Sequence, residues 1–140
     1  MNRTVLATAA GALTSFVVGF LISGLALASF FAANTGSATG AIKDPPNLVA
    51  IALGQIPSAL LLTLAIGKWG NSTSTVGGAK VGALFGLLIA ASVDLTIYGT
   101  TNVQNLTVTL VDPIFGTLLT AVTGAVVGMV LGWGKSASAA

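Results

Sequence analysis

The chain has 140 residues, with five Lys or Arg against three Asp and no Glu, His or Cys; 54% of it is hydrophobic and 6% charged. Soluble domains carry about a quarter charged residues, so this composition, with a mean hydropathy of +0.99, excludes an ordinary soluble domain and points to an integral membrane protein. It also excludes zinc, haem or iron–sulfur centres held by Cys or His, thiol catalysis, His-based acid–base chemistry and disulfides, and without a Lys/Arg cluster no nucleic acid, metal or cofactor is expected as a partner.

No residue from Thr4 to Ile42 is charged, and a membrane span needs about 20 apolar residues. A first helix is predicted over about 4–31. Ala26-Leu27-Ala28 resembles a signal-peptide cleavage site, but the apolar run far exceeds a signal core of about 7 to 15 residues, so an uncleaved helix is expected. Asn34 to Gly40 is a turn-rich break before Lys43-Asp44-Pro45-Pro46, and a second helix follows over about 47–69. Its internal Pro57 should bend it and free the Leu53 carbonyl. Gly70 to Ser74 ends it. The third helix is predicted over about 76–99, carrying Lys80 near its start and Asp94 near its end, and the fourth over about 107–133 after the polar loop Thr100 to Asn105. Val103, Leu106, Val108 and Leu110 alternate, which fits a short extended segment or the first turn of the fourth helix. The fold class is all-α, a single four-helix antiparallel transmembrane bundle.

Cytoplasmic loops are enriched in Lys and Arg. With the N-terminus inside, Arg3, Lys68, Lys80 and Lys135 share one side, while Lys43 stands alone on the other. Trp69 and Trp133 then fall at cytoplasmic helix ends, where an indole prefers the headgroup level. Both termini are expected inside.

Apolar burial does not drive association between helices already in lipid, so small residues and hydrogen bonds must do more of it. Gly78, Gly82, Gly86 and Ala90 recur at spacing four, a row that runs on to Asp94. Gly116, Thr120, Gly124, Gly128 and Gly132 repeat the spacing, and backwards that row meets Asp112. Gly11, Ser15, Gly19 and Ser23, and Ala50, Gly54 and Ser58, are shorter versions. Four residues turn about 400°, so each row is expected to supply two or three turns of contact. Packing within one chain is favoured over dimerisation.

Polar groups at membrane depth are the candidate functional residues. Asp94 and Asp112 approach the same leaflet on helices joined by a short loop. Two neighbouring carboxylates in low dielectric do not both ionise readily, so the pair would hold a proton or bind a cation. Gln55, Ser58 and the freed Leu53 carbonyl would complete a pocket, and Thr96 and Tyr98 join the candidate set. Structural alternatives stand beside these: Asp112-Pro113 as a helix N-cap, a Lys43–Asp94 tie, and Gln55 as an interhelical hydrogen bond.

The stretch Gly82-Ala-Leu-Phe-Gly86, Val93-Asp94-Leu95-Thr96 and Leu106-Thr107-Val108-Thr109-Leu110-Val111-Asp112-Pro-Ile-Phe115-Gly116, within about residues 82–133, resembles a family of small bacterial predicted membrane proteins known as a domain of unknown function. The shared features are a glycine-rich helix ending in Asp-Leu-Thr and a following Thr-Leu-Val-Asp segment, then an aromatic residue and glycine. Ile97 and Phe115 stand where the pattern would have Asn and Trp. The resemblance implies a four-helix bundle in a bacterial inner membrane, with motif positions at Asp94, Thr96, Asp112 and Gly116.

The expected function is that of a non-enzymatic structural or accessory membrane protein, alone, as a homo-oligomer or within a larger membrane complex. The alternative is a small proton- or cation-coupled carrier or channel using Asp94 and Asp112. An intramembrane enzyme ranks third, because no nucleophile accompanies the carboxylates.

Overall fold

The computed structural model describes residues 2–133; Lys135, assigned above to the cytoplasmic set, lies outside them. Its α-helices are α1 (Arg3–Gly19), α2 (Ala28–Ala33), α3 (Leu48–Leu64), α4 (Thr75–Thr100) and α5 (Leu106–Gly132), and π-helical segments Phe20–Ala26 and Ala65–Trp69 extend α1 and α3. Four stretches are long and apolar enough to cross a membrane: Arg3–Ala26, Leu48–Trp69, Thr75–Thr100 and Leu106–Gly132. There is no β-strand among the described residues.

Each span starts on a side-chain cap. Asn2 accepts from the Thr4 N–H, Asn47 from Ala50, Ser74 from Gly77 and Asn105 from Val108, all at 3.0–3.1 Å. These bonds satisfy amide donors that have no partner inside the helix.

One boundary and one alternative reading of a cap differ from the structure. The first helix stops short of Phe31, because Leu27 (φ −112°, ψ 8°) leaves helical geometry and its N–H reaches back to the Ile22 carbonyl, 2.8 Å away. Gly24 lets this happen locally: the Phe20 ring lies over it, close to where a Cβ would stand. The second correction concerns Asp112. It is not an N-cap, since α5 begins at Leu106 with Asn105 as its cap and carries Pro113 inside. Backbone groups entering lipid must be paired, which favours extending the helix to the interface. The residues before it are extended: Gly36 N–H donates to the Val103 carbonyl (3.1 Å) and Ala38 N–H to that of Asn102 (2.9 Å), with an isolated bridge between Thr35 and Gln104. The two helical hairpins are thereby tied at their loop end.

The α4–α5 contact is the most extensive in the bundle. A Cβ on Gly78 would run into the Gly124 carbonyl, one on Gly82 into the Thr120 carbonyl and one on Gly86 into the Thr120 hydroxyl, and a Cβ on Gly116 would lie 3.1 Å from the Ala90 methyl. Each step of four up α4 is thus matched by a step of four back along α5. The seam persists from Gly78 to Ala90, about three turns, and the missing side chains let the two backbones approach closely.

The first span packs against both α3 and α5. Gly11 sits between them, facing Ala59 and Val127, and Ser15 shares a 3.0 Å hydrogen bond with Thr123. The apolar core of Ala7, Leu62, Ile66, Val127, Val130 and Leu131 lies toward the end that carries Arg3 and Lys68. Along most of their lengths α3 and α4 barely meet; the Ala65–Trp69 segment is what reaches α4. A lateral cleft therefore separates them. The small-residue row of α3 behaves differently from the others, since Ala50, Gly54 and Ser58 are exposed and nothing stands within 4 Å of a Cβ on Gly54.

Candidate functional site

The α4–α5 seam decides where the acid groups meet. One step of four beyond Ala90 and Gly116 comes Asp94 on α4 and Asp112 on α5, so the register that fits the glycines also opposes the carboxylates. Asp94 is 5% exposed. Its Oδ1 accepts from the Gln104 side-chain amide at 3.4 Å, and the same amide reaches the Asp94 carbonyl (3.3 Å) and the Thr109 hydroxyl (3.0 Å). Asp94 Oδ2 is buried with no hydrogen-bond partner.

Both carboxylates line a cavity of about 250 Å³. Its floor is the buried Ser15, Ala59, Leu62 and Gly86, with Thr120 beside them, and its rim is the exposed pair Ser58 and Leu61 on α3 facing Ile89 and Val93 on α4. The mouth therefore opens sideways through the α3–α4 cleft. Asp94 lies six residues before the end of α4 and Asp112 six residues after the start of α5, which is about 9 Å along each helix. The 26 residues of α4 span about 39 Å against a hydrocarbon core of about 30 Å, placing the pair a few ångströms inside the apolar region.

The other expected members fall elsewhere. Gln55 donates to the Ile51 carbonyl (3.2 Å) and lines a separate cavity of about 360 Å³ between the first span and α3, with Ser15 and Leu119 in the wall common to both. Thr96 is exposed, its hydroxyl donating to the Ser92 carbonyl at 2.7 Å, and Tyr98 is 44% exposed; neither lines the carboxylate cavity. Lys43 is exposed and Asp94 accepts from the Gln104 amide, so the alternative of a Lys43 tie gives way to an amide bridge. Ser58 does join the site. The sequence reading missed Gln104 and Thr109. The available signal was loop length: only a few residues separate α4 from α5, so a long amide among them must fall across the helix ends.

The arrangement can hold a proton between two carboxyl groups or a positively charged group against them. Four lipid-spanning helices enclosing such a pair define a small multi-pass helical membrane protein. The chain belongs to the family described as predicted membrane protein (DUF2177), a domain of unknown function whose profile matches residues 4–130. The match takes in the first two spans as well as the stretch 82–133. No curated protein and no solved structure matches the chain.

Proposed function

We propose that this is a non-enzymatic protein of a bacterial inner membrane, with both termini cytoplasmic, in which the Asp94–Asp112 pair takes up a proton or cation and serves a small carrier or channel. The observation that carries this reading is Asp94 Oδ2, buried without a partner beside a second carboxylate in a cavity. An unsatisfied buried polar group costs about 1–3 kcal/mol, and more when charged. A leucine would close the same seam without that cost, so the acid serves something other than stability. Arg3 and Lys68 standing together at one end of the bundle support the cytoplasmic assignment of that end. Reconstituted vesicles loaded with a pH-sensitive or cation-sensitive dye test the proposal: flux in the unaltered protein should vanish in Asp94→Asn and Asp112→Asn. Absence of flux in the unaltered protein overturns it.

One observation favours a second reading, the accessory subunit. Ala50 and Gly54, the first two positions of the small-residue row of α3, are exposed, with nothing within 4 Å of a Cβ on Gly54, and such rows bring helices together in lipid. Mild-detergent purification should then yield a stoichiometric partner or a second copy, lost in Gly54→Leu. Recovery of a lone chain counts against it.

A further inference from the structure

The loop end of the bundle is closed above the acid pair. Gln104 lies across Asp94, and the backbone of residues 102–104 is pinned to residues 35–38. Entry is therefore from the side, between Ser58 and Leu61 on one helix and Ile89 and Val93 on the other, from within lipid.

The cavity's shape restricts what enters. A water molecule's share of volume is about 30 Å³, so a proton or bare ion would leave most of a cavity of about 250 Å³ unused. Its oxygen donors are also few. Among the described residues no three acid or imidazole groups come together, whereas a hard dication takes six or more oxygens. Most of the lining is instead aliphatic and aromatic, running from the carboxylates toward the bilayer centre past Val93, Ile89 and Phe85. That polarity, charge near the interface and apolar wall inward, is the polarity of an amphiphile seated in one leaflet.

We propose that the cleft binds an amphiphile with a single ammonium head and an alkyl body, drawn sideways from the loop-end leaflet so that its head meets Asp94 and Asp112. Two carboxyl groups sharing one proton carry one negative charge, which one ammonium neutralises. A head bearing phosphate as well is disfavoured, because it would press an anion against two acids in a cavity whose described lining holds no Lys or Arg, Lys43 standing exposed in the loop outside it. The ligand is thus a lipophilic amine rather than a zwitterionic phospholipid. The inference rests on the carboxylate pair being the working site.

The test uses dodecylamine carrying a diazirine on its chain, added to the full-length protein in a neutral maltoside detergent and photolysed. Crosslinks should map to the peptides around Ser58–Leu62 and Phe85–Val93. Unlabelled dodecylamine should compete, whereas dodecanol and phosphatidylethanolamine should not. Labelling should fall about tenfold or more in Asp94→Asn/Asp112→Asn, as expected for loss of charge-assisted hydrogen bonds. Ile89→Trp, at an exposed rim position, should block labelling with both carboxylates intact. Labelling spread over the lipid-facing surface, equal competition by dodecanol or phosphatidylethanolamine, or labelling unchanged in both variants overturns the proposal. Flux abolished by the Asn variants without amine binding would remove this ligand class and leave the proton or cation reading standing. Amine binding without flux would do the reverse.

Discussion

The side-chain amide of Gln104 is shared between the Asp94 carboxylate and the Thr109 hydroxyl, at 3.4 and 3.0 Å, so a loop residue clamps the end of α4 to the start of α5 directly above the acid pair. Thr109 is itself almost fully buried. Replacing Gln104 by Ala should lower stability by about 1 kcal/mol, the net worth of an ordinary hydrogen bond. Gln104→Glu should cost more, because it sets a third carboxylate against Asp94. Thermal unfolding in detergent, followed by circular dichroism, measures both; an Ala variant as stable as the parent would show that the clamp is idle.

Gly82→Ala should destabilise by about 1–3 kcal/mol, the range for forced overpacking, because the added methyl meets the Thr120 carbonyl. Gly54→Ala and Gly99→Ala meet nothing within 4 Å and should stay within about 0.5 kcal/mol. Unfolding by titration with dodecyl sulfate in mixed micelles separates the two classes. Equal tolerance at Gly82 and Gly54 would contradict the seam.

Asp94→Leu should leave the protein at least as stable while abolishing any flux or amine binding. Removing a buried, unsatisfied oxygen recovers about 1–3 kcal/mol, of which losing the Gln104 hydrogen bond to Oδ1 takes back about 1 kcal/mol, an exchange of function for stability. A lower unfolding midpoint in this variant would mean that the carboxylate is structural.

Ser15 and Thr123 join the first span to α5 through a buried hydroxyl pair. A double-mutant cycle with Ser15→Ala and Thr123→Val should give a coupling of about 0.6 kcal/mol, typical of interhelical hydrogen bonds in bilayers. Zero coupling would leave Gly11 and its neighbours as the whole basis of that contact.

The chain lacks cysteine, so single cysteines report orientation cleanly. In intact bacterial cells an impermeant maleimide should label Ser37→Cys and Asn102→Cys but not Thr75→Cys, all at exposed positions. The opposite pattern would invert the proposed topology.

The spans and the seam were legible in the sequence for one reason: lipid punishes unpaired backbone and charge so heavily that long apolar runs and rows of small residues have few other uses. Extending the rows of Gly78 and Gly116 by one further step already pointed at Asp94 and Asp112. The Asp112 cap stood as an alternative because Asp112-Pro113 is a good local helix start, and that local chemistry lost to the need to carry the helix to the interface. Gln55 was placed with the aspartates because sequence gives a residue's depth in a span but not its rotation about the axis. The break at Leu27 and the bridge from Gln104 depend on how Phe20 and the Thr35 segment pack, which no linear pattern encodes.

The glycine seam leaves the bundle mechanically unequal. α4 and α5 touch backbone to backbone and form a stiff half, whereas α3 is tethered mainly through the first span and by the Ala65–Trp69 segment at one end. Thickness or lateral pressure in the surrounding bilayer would act first on that compliant half, altering the width of the gateway while the two acids stay fixed against each other.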